Sequence, residues 1–161
     1  MVKGYSRTQI ALHWAVGLLI VFQLIFGEDM GGAWDAVEDG LAPDMTLLVW
    51  GHIVVGSAIL ALVVWRLALR LTRGVPGAPA GESAALRLAG HLGHWALYAL
   101  MVATPITGLL AWFGGIAVLA EVHGLAKPAL IILILIHVAA AFYHQFKLKD
   151  GLLDRMRKPQ I

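Results

Sequence analysis

At 161 residues the chain is 60% hydrophobic and only 14% charged, where soluble domains carry about 25% charged residues. With a mean hydropathy of +0.79, it reads as an integral membrane protein. Cysteine is absent, which excludes disulfides, iron–sulfur clusters, thiolate zinc sites and covalently attached haem. Ligation falls to methionine, oxygen or the seven histidines. The basic residues flank apolar segments and form no separate domain, so nucleic acid is not expected as a partner.

The first helix is predicted from Ser6 to about Phe26, with Gln9 three residues after Ser6 in a capping-box arrangement. Lys3 and Arg7 ahead of an apolar run look like the start of a signal peptide. His13, Trp14 and Gln23 interrupt that run, however, and no small-x-small cleavage site precedes Glu28, so a retained helix is expected. Residues 27–44 read as a loop rich in glycine and acid, and Pro43-Asp44 as the entry to a second helix with Asp44 as its N-cap. That helix runs to about Arg70, and Gly74, Pro76, Gly77 and Pro79 mark the next loop. A third helix spans about Ser83 to Trp112, bent at Pro105 and closed by Gly114-Gly115. A fourth covers roughly 122–147, with a bend or a late start expected from Pro128, and a basic tail follows.

The expected fold is therefore an all-α, four-helix integral membrane bundle, one domain over residues 1–161 with helices near 6–26, 44–70, 83–112 and 122–147. Lys3, Arg7, Arg66, Arg70, Arg73, Arg87, Lys147, Lys149, Arg155, Arg157 and Lys158 fall on one side of this layout, and Lys127 alone on the other. The positive-inside rule puts both termini in the cytoplasm. Glu28, Asp29, Asp35, Glu38, Asp39, Asp44 and Glu121 then face outward. Trp14, Trp50, Trp65, Trp95 and Trp112 stand near helix ends, as an interfacial belt requires.

This topology sorts four histidines into two layers. His123 and His137 close a nearly pure hydrocarbon segment, fourteen residues apart, which leaves them about 40° apart on one helix face with roughly 21 Å of rise between them. His52 matches the depth of His123, and His13 that of His137. Polar groups that face lipid are costly, so two matched pairs are better explained as axial ligands of two stacked haems than as isolated polar residues at helix ends. Two axial imidazoles close both open positions of a haem iron, which suits electron transfer. Gly17 and Gly56, each four residues from a histidine of the set, fit close approach to a macrocycle or ordinary small-residue packing. Ala139, Ala140 and Ala141 follow His137.

His91, His94 and His144 fall near the cytoplasmic surface. The first two share a face but have no third metal ligand close in sequence; hydrogen bonding to haem propionates, a quinone pocket or the water interface are the readings open to them. His144, seven residues after His137, is a second choice of ligand. Arg66 and Arg70 share a face and are placed to pair with propionates or simply to fix topology.

Tyr5-Ser6-Arg7-x-Gln9-Ile10-x-x-His13-Trp14, Gly51-His52, Trp65-Arg66-Leu67-x-Leu69-Arg70, His91-Leu92-Gly93-His94 and His137-Val138-Ala139-Ala140-Ala141-x-Tyr143-His144, with Lys149-Asp150-Gly151-Leu152-Leu153, together resemble the bacterial cytochrome b561 family nearly end to end. The resemblance implies four spans in the bacterial inner membrane and two b haems, held by His13, His52, His123 and His137 with Arg66 and Arg70 nearby. It also implies quinone chemistry near the cytoplasmic haem, with ubiquinone the acceptor in a superoxide oxidase type of member. If quinone is reduced there, His144 or the His91/His94 pair is placed to deliver protons, since imidazole titrates near neutral pH. Expected partners are lipid, quinone and a periplasmic redox protein. Seven carboxylates against one lysine on the outer side argue against an anionic donor such as superoxide and for a neutral or cationic one. Two further readings are a membrane anchor of a dehydrogenase or hydrogenase complex and a haem-free, histidine-based metal transporter.

Overall fold

A computed structural model describes residues 4–79 and 81–159; Lys3, counted above among the basic residues of one side, lies outside them. Among the described residues the chain is all-helical: α1 (Arg7–Phe26), α2 (Asp29–Glu38), α3 (Leu47–Arg73), α4 (Ala84–Gly114) and α5 (Ala117–Phe142). A π-helical turn (Tyr143–Leu148) extends α5, and a 3-10 turn (Leu153–Met156) closes the tail. α1, α3, α4 and the extended α5 are each long and apolar enough to cross a membrane.

Local chemistry sets most of the helix ends. The Ser6 hydroxyl accepts from the Gln9 amide, and the Gln9 side chain accepts from the Ser6 amide, so two otherwise orphaned donors are satisfied as the sequence predicts. Ser83 caps α4 in the same manner, accepting from the Leu86 amide. Gly115, at φ 64°, ends α4 in the left-handed conformation that glycine adopts without steric penalty.

Three expectations are corrected. The N-cap of α3 is Thr46, whose hydroxyl accepts from the Val49 amide, and not Asp44; the helix accordingly runs 47–73 where 44–70 was expected. Residues 27–44 are not all loop, because α2 forms there. Gly31 and Gly32 make it a poor helix by propensity, and it gains stability by packing on α3 with Ala33 buried. The last long helix begins at Ala117, before the expected 122, and continues through Pro128, which leaves the Gly124 carbonyl without its helical donor but does not end the helix. The third expected span, 83–112, is observed as 84–114.

α1 packs on α3, α3 on α4 and α4 on α5. The core is a band of Val16, Ile20, Ile59, Val63, Leu97, Tyr98 and Leu130, which lies between the two histidine layers. Outward residues are as apolar as inward ones: Leu18 is 69% and Leu135 63% exposed, a pattern that suits lipid rather than water. At one end of the bundle the start of α1 meets the α3–α4 loop and the tail. The Gln9 side chain donates to the Gly74 carbonyl, Trp14 Nε1 to the Met156 carbonyl and Arg155 to the Gly77 carbonyl. We call this the terminal end, and the other the α2 end.

Half-buried Arg66 joins three helices at the terminal end. From α3 its Nε donates to the Tyr98 hydroxyl of α4 at 3.0 Å, and Nη1 to the Gln9 carbonyl of α1 at 3.0 Å. Hydrogen bonds to charged groups contribute about 1.5–3 kcal/mol each. Arg66→Met is expected to destabilise the detergent-solubilised protein by about 3 kcal/mol, read as a lower thermal midpoint; an unchanged midpoint would show that this tie carries no stability.

Candidate functional site

The histidines that the sequence paired by depth stand together in space. His52 on α3 and His123 on α5 have ring centroids 5.9 Å apart, and His13 on α1 and His137 on α5 are 6.1 Å apart. Two imidazoles that share a transition metal, each with its nitrogen about 2 Å from the ion, have ring centres about 6 Å apart. Among the described residues no three or more His, Asp or Glu side chains gather closely enough to hold a metal ion by themselves, so any metal between these pairs needs its remaining donors from elsewhere.

At the α2 end the pair borders a cavity of about 340 Å³, whose wall is mostly apolar and includes Met30, Trp34, Met101 and Trp112. His123 is aimed by its neighbour helix: its Nδ1 donates to the Thr104 carbonyl at 2.7 Å, which leaves Nε2 as the nitrogen able to ligate. The Gln23 side chain donates to the His52 carbonyl at 2.8 Å, fixing α1 to α3 at this level. His52 Nδ1 is buried without a hydrogen-bond partner. Two glycines let the rings approach the backbone. A Cβ at Gly108 would fall 2.8 Å from His123 Cε1, and one at Gly27 would fall 3.1 Å from His52 Nδ1. The sequence reading missed both, along with Thr104 and Gln23. Of the glycines it named, Gly56 abuts the Gln23 side chain, whereas Gly17 borders open space.

The terminal-end cluster holds a third ring. His94 lies 5.3 Å from His137, and its Nδ1 donates to the Gly90 carbonyl at 2.6 Å. His91 does not join it, although it sits three residues away; its Nε2 accepts from Trp95 Nε1 at 3.1 Å. Arg70 stacks over Trp95 and Tyr98, at 5.6 and 5.8 Å from the ring centroids. Tyr5 is close to Arg66 and Arg70, and burial pushes its phenol above the ordinary value despite those charges, so it stays a neutral donor at physiological pH. Arg66, Arg70 and Tyr5 thus form a group of donors suited to an anion.

His144 is buried and stands apart from the other imidazoles. Its Nδ1 donates to Asp150 Oδ2 at 2.6 Å, and Nε2 lies 3.6 Å from Glu82 Oε1. Burial pushes the Asp150 carboxyl up, but hydrogen bonds from His144 and the Leu152 amide outweigh it and hold the group below the ordinary carboxylate value. Both ring nitrogens are therefore turned to carboxylates. Glu82 was not singled out from sequence, because it is far from His144 along the chain.

Residues 4–159 match the family described as prokaryotic cytochrome b561. The chain is 42% identical over 159 residues to cytochrome b562 of Cereibacter sphaeroides, covering 98% of this chain and 97% of the relative. It is 32% identical over 181 residues to the probable superoxide oxidase CybB of Yersinia pestis, covering 97% of each.

The b-type haem that this family implies fits the residues present. His52 of α3 stands opposite His123 of α5, and His13 of α1 opposite His137 of α5, and a cavity opens beside the first pair. Glycine at 27 and 108 keeps the space beside two of the rings clear, and His52 keeps an unpartnered nitrogen. The chain belongs to the prokaryotic cytochrome b561 family, multi-pass membrane cytochromes b of electron transport.

Proposed function

We propose that the protein carries electrons across the bacterial inner membrane through two b haems, between a periplasmic donor and the ubiquinone pool. The observation that carries this reading is the pairing of four histidines into two sets, with ring centroids 5.9 and 6.1 Å apart, at opposite ends of an apolar band. His52 and His123 would hold one haem, and His13 and His137 the other. Bound haem would supply one-electron chemistry there.

The chain's own residues account for the rest. Thr104 orients His123, and Gly90 orients His94 beside the second pair. Arg66 and Arg70 would neutralise anionic groups at the terminal end, with the Tyr5 phenol as a neutral hydrogen-bond donor, and the distribution of lysine and arginine favours the cytoplasmic side for this end. The core between the layers excludes water, and the exposed apolar faces meet lipid. Reduction of a quinone consumes two protons with two electrons. His144, between Asp150 and Glu82 at this end, is the residue we assign to proton delivery, with the His91/His94 pair as the other candidate. The name of the Yersinia relative points to superoxide as donor. Glu28, Asp29, Asp35, Glu38 and Asp39 in and around α2 repel an anion at the opposite end, and favour a neutral or cationic donor.

A pyridine haemochrome count with a dithionite-reduced minus oxidised spectrum tests this reading on detergent-purified protein. Two b haems per chain with a low-spin α-band are expected. A colourless preparation, despite haem supply during expression, would rule it out and favour histidine-based metal transport.

A further inference from the structure

Lys127 is the only charged side chain among the described residues that line the cavity at the α2 end. It follows His123 by four residues on α5, and so projects from the same helix face. It lines the cavity together with His52 and His123. The residue lies about three turns into α5 with its side chain exposed, and on a lipid-embedded helix a lysine is costly unless it is paired or reaches water. Among the described residues, Lys127 makes no ion pair. The acidic residues of α2 and its flanks do not reach the cavity wall.

An unpaired cation in an otherwise uncharged, mostly apolar chamber calls for an anion inside that chamber. If His52 and His123 hold a haem there, the anion at hand is a propionate carboxylate of that haem. At the terminal end Arg66, Arg70 and Tyr5 can meet this need; at the α2 end only Lys127 can. We propose that Lys127 is the counter-ion of a propionate of the α2-end haem and raises the reduction potential of that haem. The proposal rests on the haem reading above.

The sign follows from charge. The oxidised iron centre carries one more positive charge than the reduced one, so an unbalanced carboxylate nearby favours the oxidised form. A lysine that balances the carboxylate removes this preference, because two charges in contact stand well within a Debye length of each other. A lysine that instead stretches to water at the membrane surface, as long basic side chains near helix ends do, leaves the potential unmoved.

The test is a spectroelectrochemical titration of the holoprotein and its Lys127→Met variant. Gly108→Ala, which disturbs His123, identifies which transition belongs to the α2 end. In Lys127→Met the reduced-to-oxidised ratio of the α2-end haem at fixed ambient potential is expected to fall about tenfold, a midpoint lower by about 59 mV for a one-electron couple. The other midpoint stays put, and Lys127→Arg restores the first. Selective loss of the α2-end haem from Lys127→Met, reversed in Lys127→Arg, also supports the proposal. Unchanged midpoints in fully loaded Lys127→Met overturn the assignment of Lys127 and leave the haem reading intact. Wild-type protein that binds no haem dependent on His52 and His123 overturns both.

Discussion

Gly108→Ala is expected to be purified with one haem per chain in place of two, in a protein whose helices are otherwise intact. The added Cβ would stand 2.8 Å from Cε1 and 2.9 Å from Nδ1 of His123, closer than non-bonded carbon atoms approach. The ring cannot yield freely, because its Nδ1 donates to the Thr104 carbonyl, one turn earlier on the same helix as Gly108. Relief of the clash must stretch that bond or swing Nε2 off its line to His52. Overpacking of this kind costs about 1–3 kcal/mol, all of it at the site. Alanine is the better helix former by about 1 kcal/mol, so the helix itself does not weaken. The haemochrome count should halve, redox titration should show one transition, and far-ultraviolet circular dichroism should be unchanged. Two haems at wild-type potentials would show that His123 is not held against Gly108 as a ligand. Gly27→Ala should act in the same direction on His52, with an added backbone clash, since its Cβ would fall 2.6 Å from the Gln23 carbonyl oxygen.

That contrast shows what the sequence could and could not reveal. Helix ends governed by neighbours in the chain were legible, as in the Ser6–Gln9 capping box and the Ser83 cap. So was the relative depth of the paired histidines, because rise per residue is fixed by helix geometry and successive spans run in opposite directions. Features that depend on a second helix were not. Nothing local to Gly108 or Thr104 announces an imidazole from α5, and the i, i+3 spacing of His91 and His94 gave no sign that one turns to His137 and the other to Trp95. α2 was missed for the related reason that its stability comes from α3 and not from its own glycine-rich residues. Thr46 displaced Asp44 as the cap because both are good N-caps, and only the observed backbone, extended at Thr46 with the hydroxyl toward the Val49 amide, decides between them.

The second large effect is expected at the other end of the molecule, where His144→Leu should slow quinone reduction about a hundredfold while both haems remain bound. Loss of a positioned proton-transfer group typically costs 10²–10⁴-fold in rate, and a hundredfold corresponds to about 2.7 kcal/mol of barrier. Leucine fills much of the volume of the buried imidazole, so the π-helical turn keeps its packing, but Asp150 and Glu82 lose the group that connects them. Asp150→Asn should give a smaller defect: its side-chain oxygen still accepts from Nδ1, but it can no longer take up a proton from the ring. The measurement is stopped-flow reoxidation of the pre-reduced cytochrome by a soluble ubiquinone analogue, with haem content determined on the same samples. A wild-type rate in His144→Leu would remove this residue from proton delivery. A lost haem would instead identify His144 as an axial ligand, although its two ring nitrogens face carboxylates and His13 and His137 already face each other 6.1 Å apart. Slow reoxidation with both haems in place is the outcome this geometry predicts, because it separates the residue that moves the proton from the four that would hold the iron.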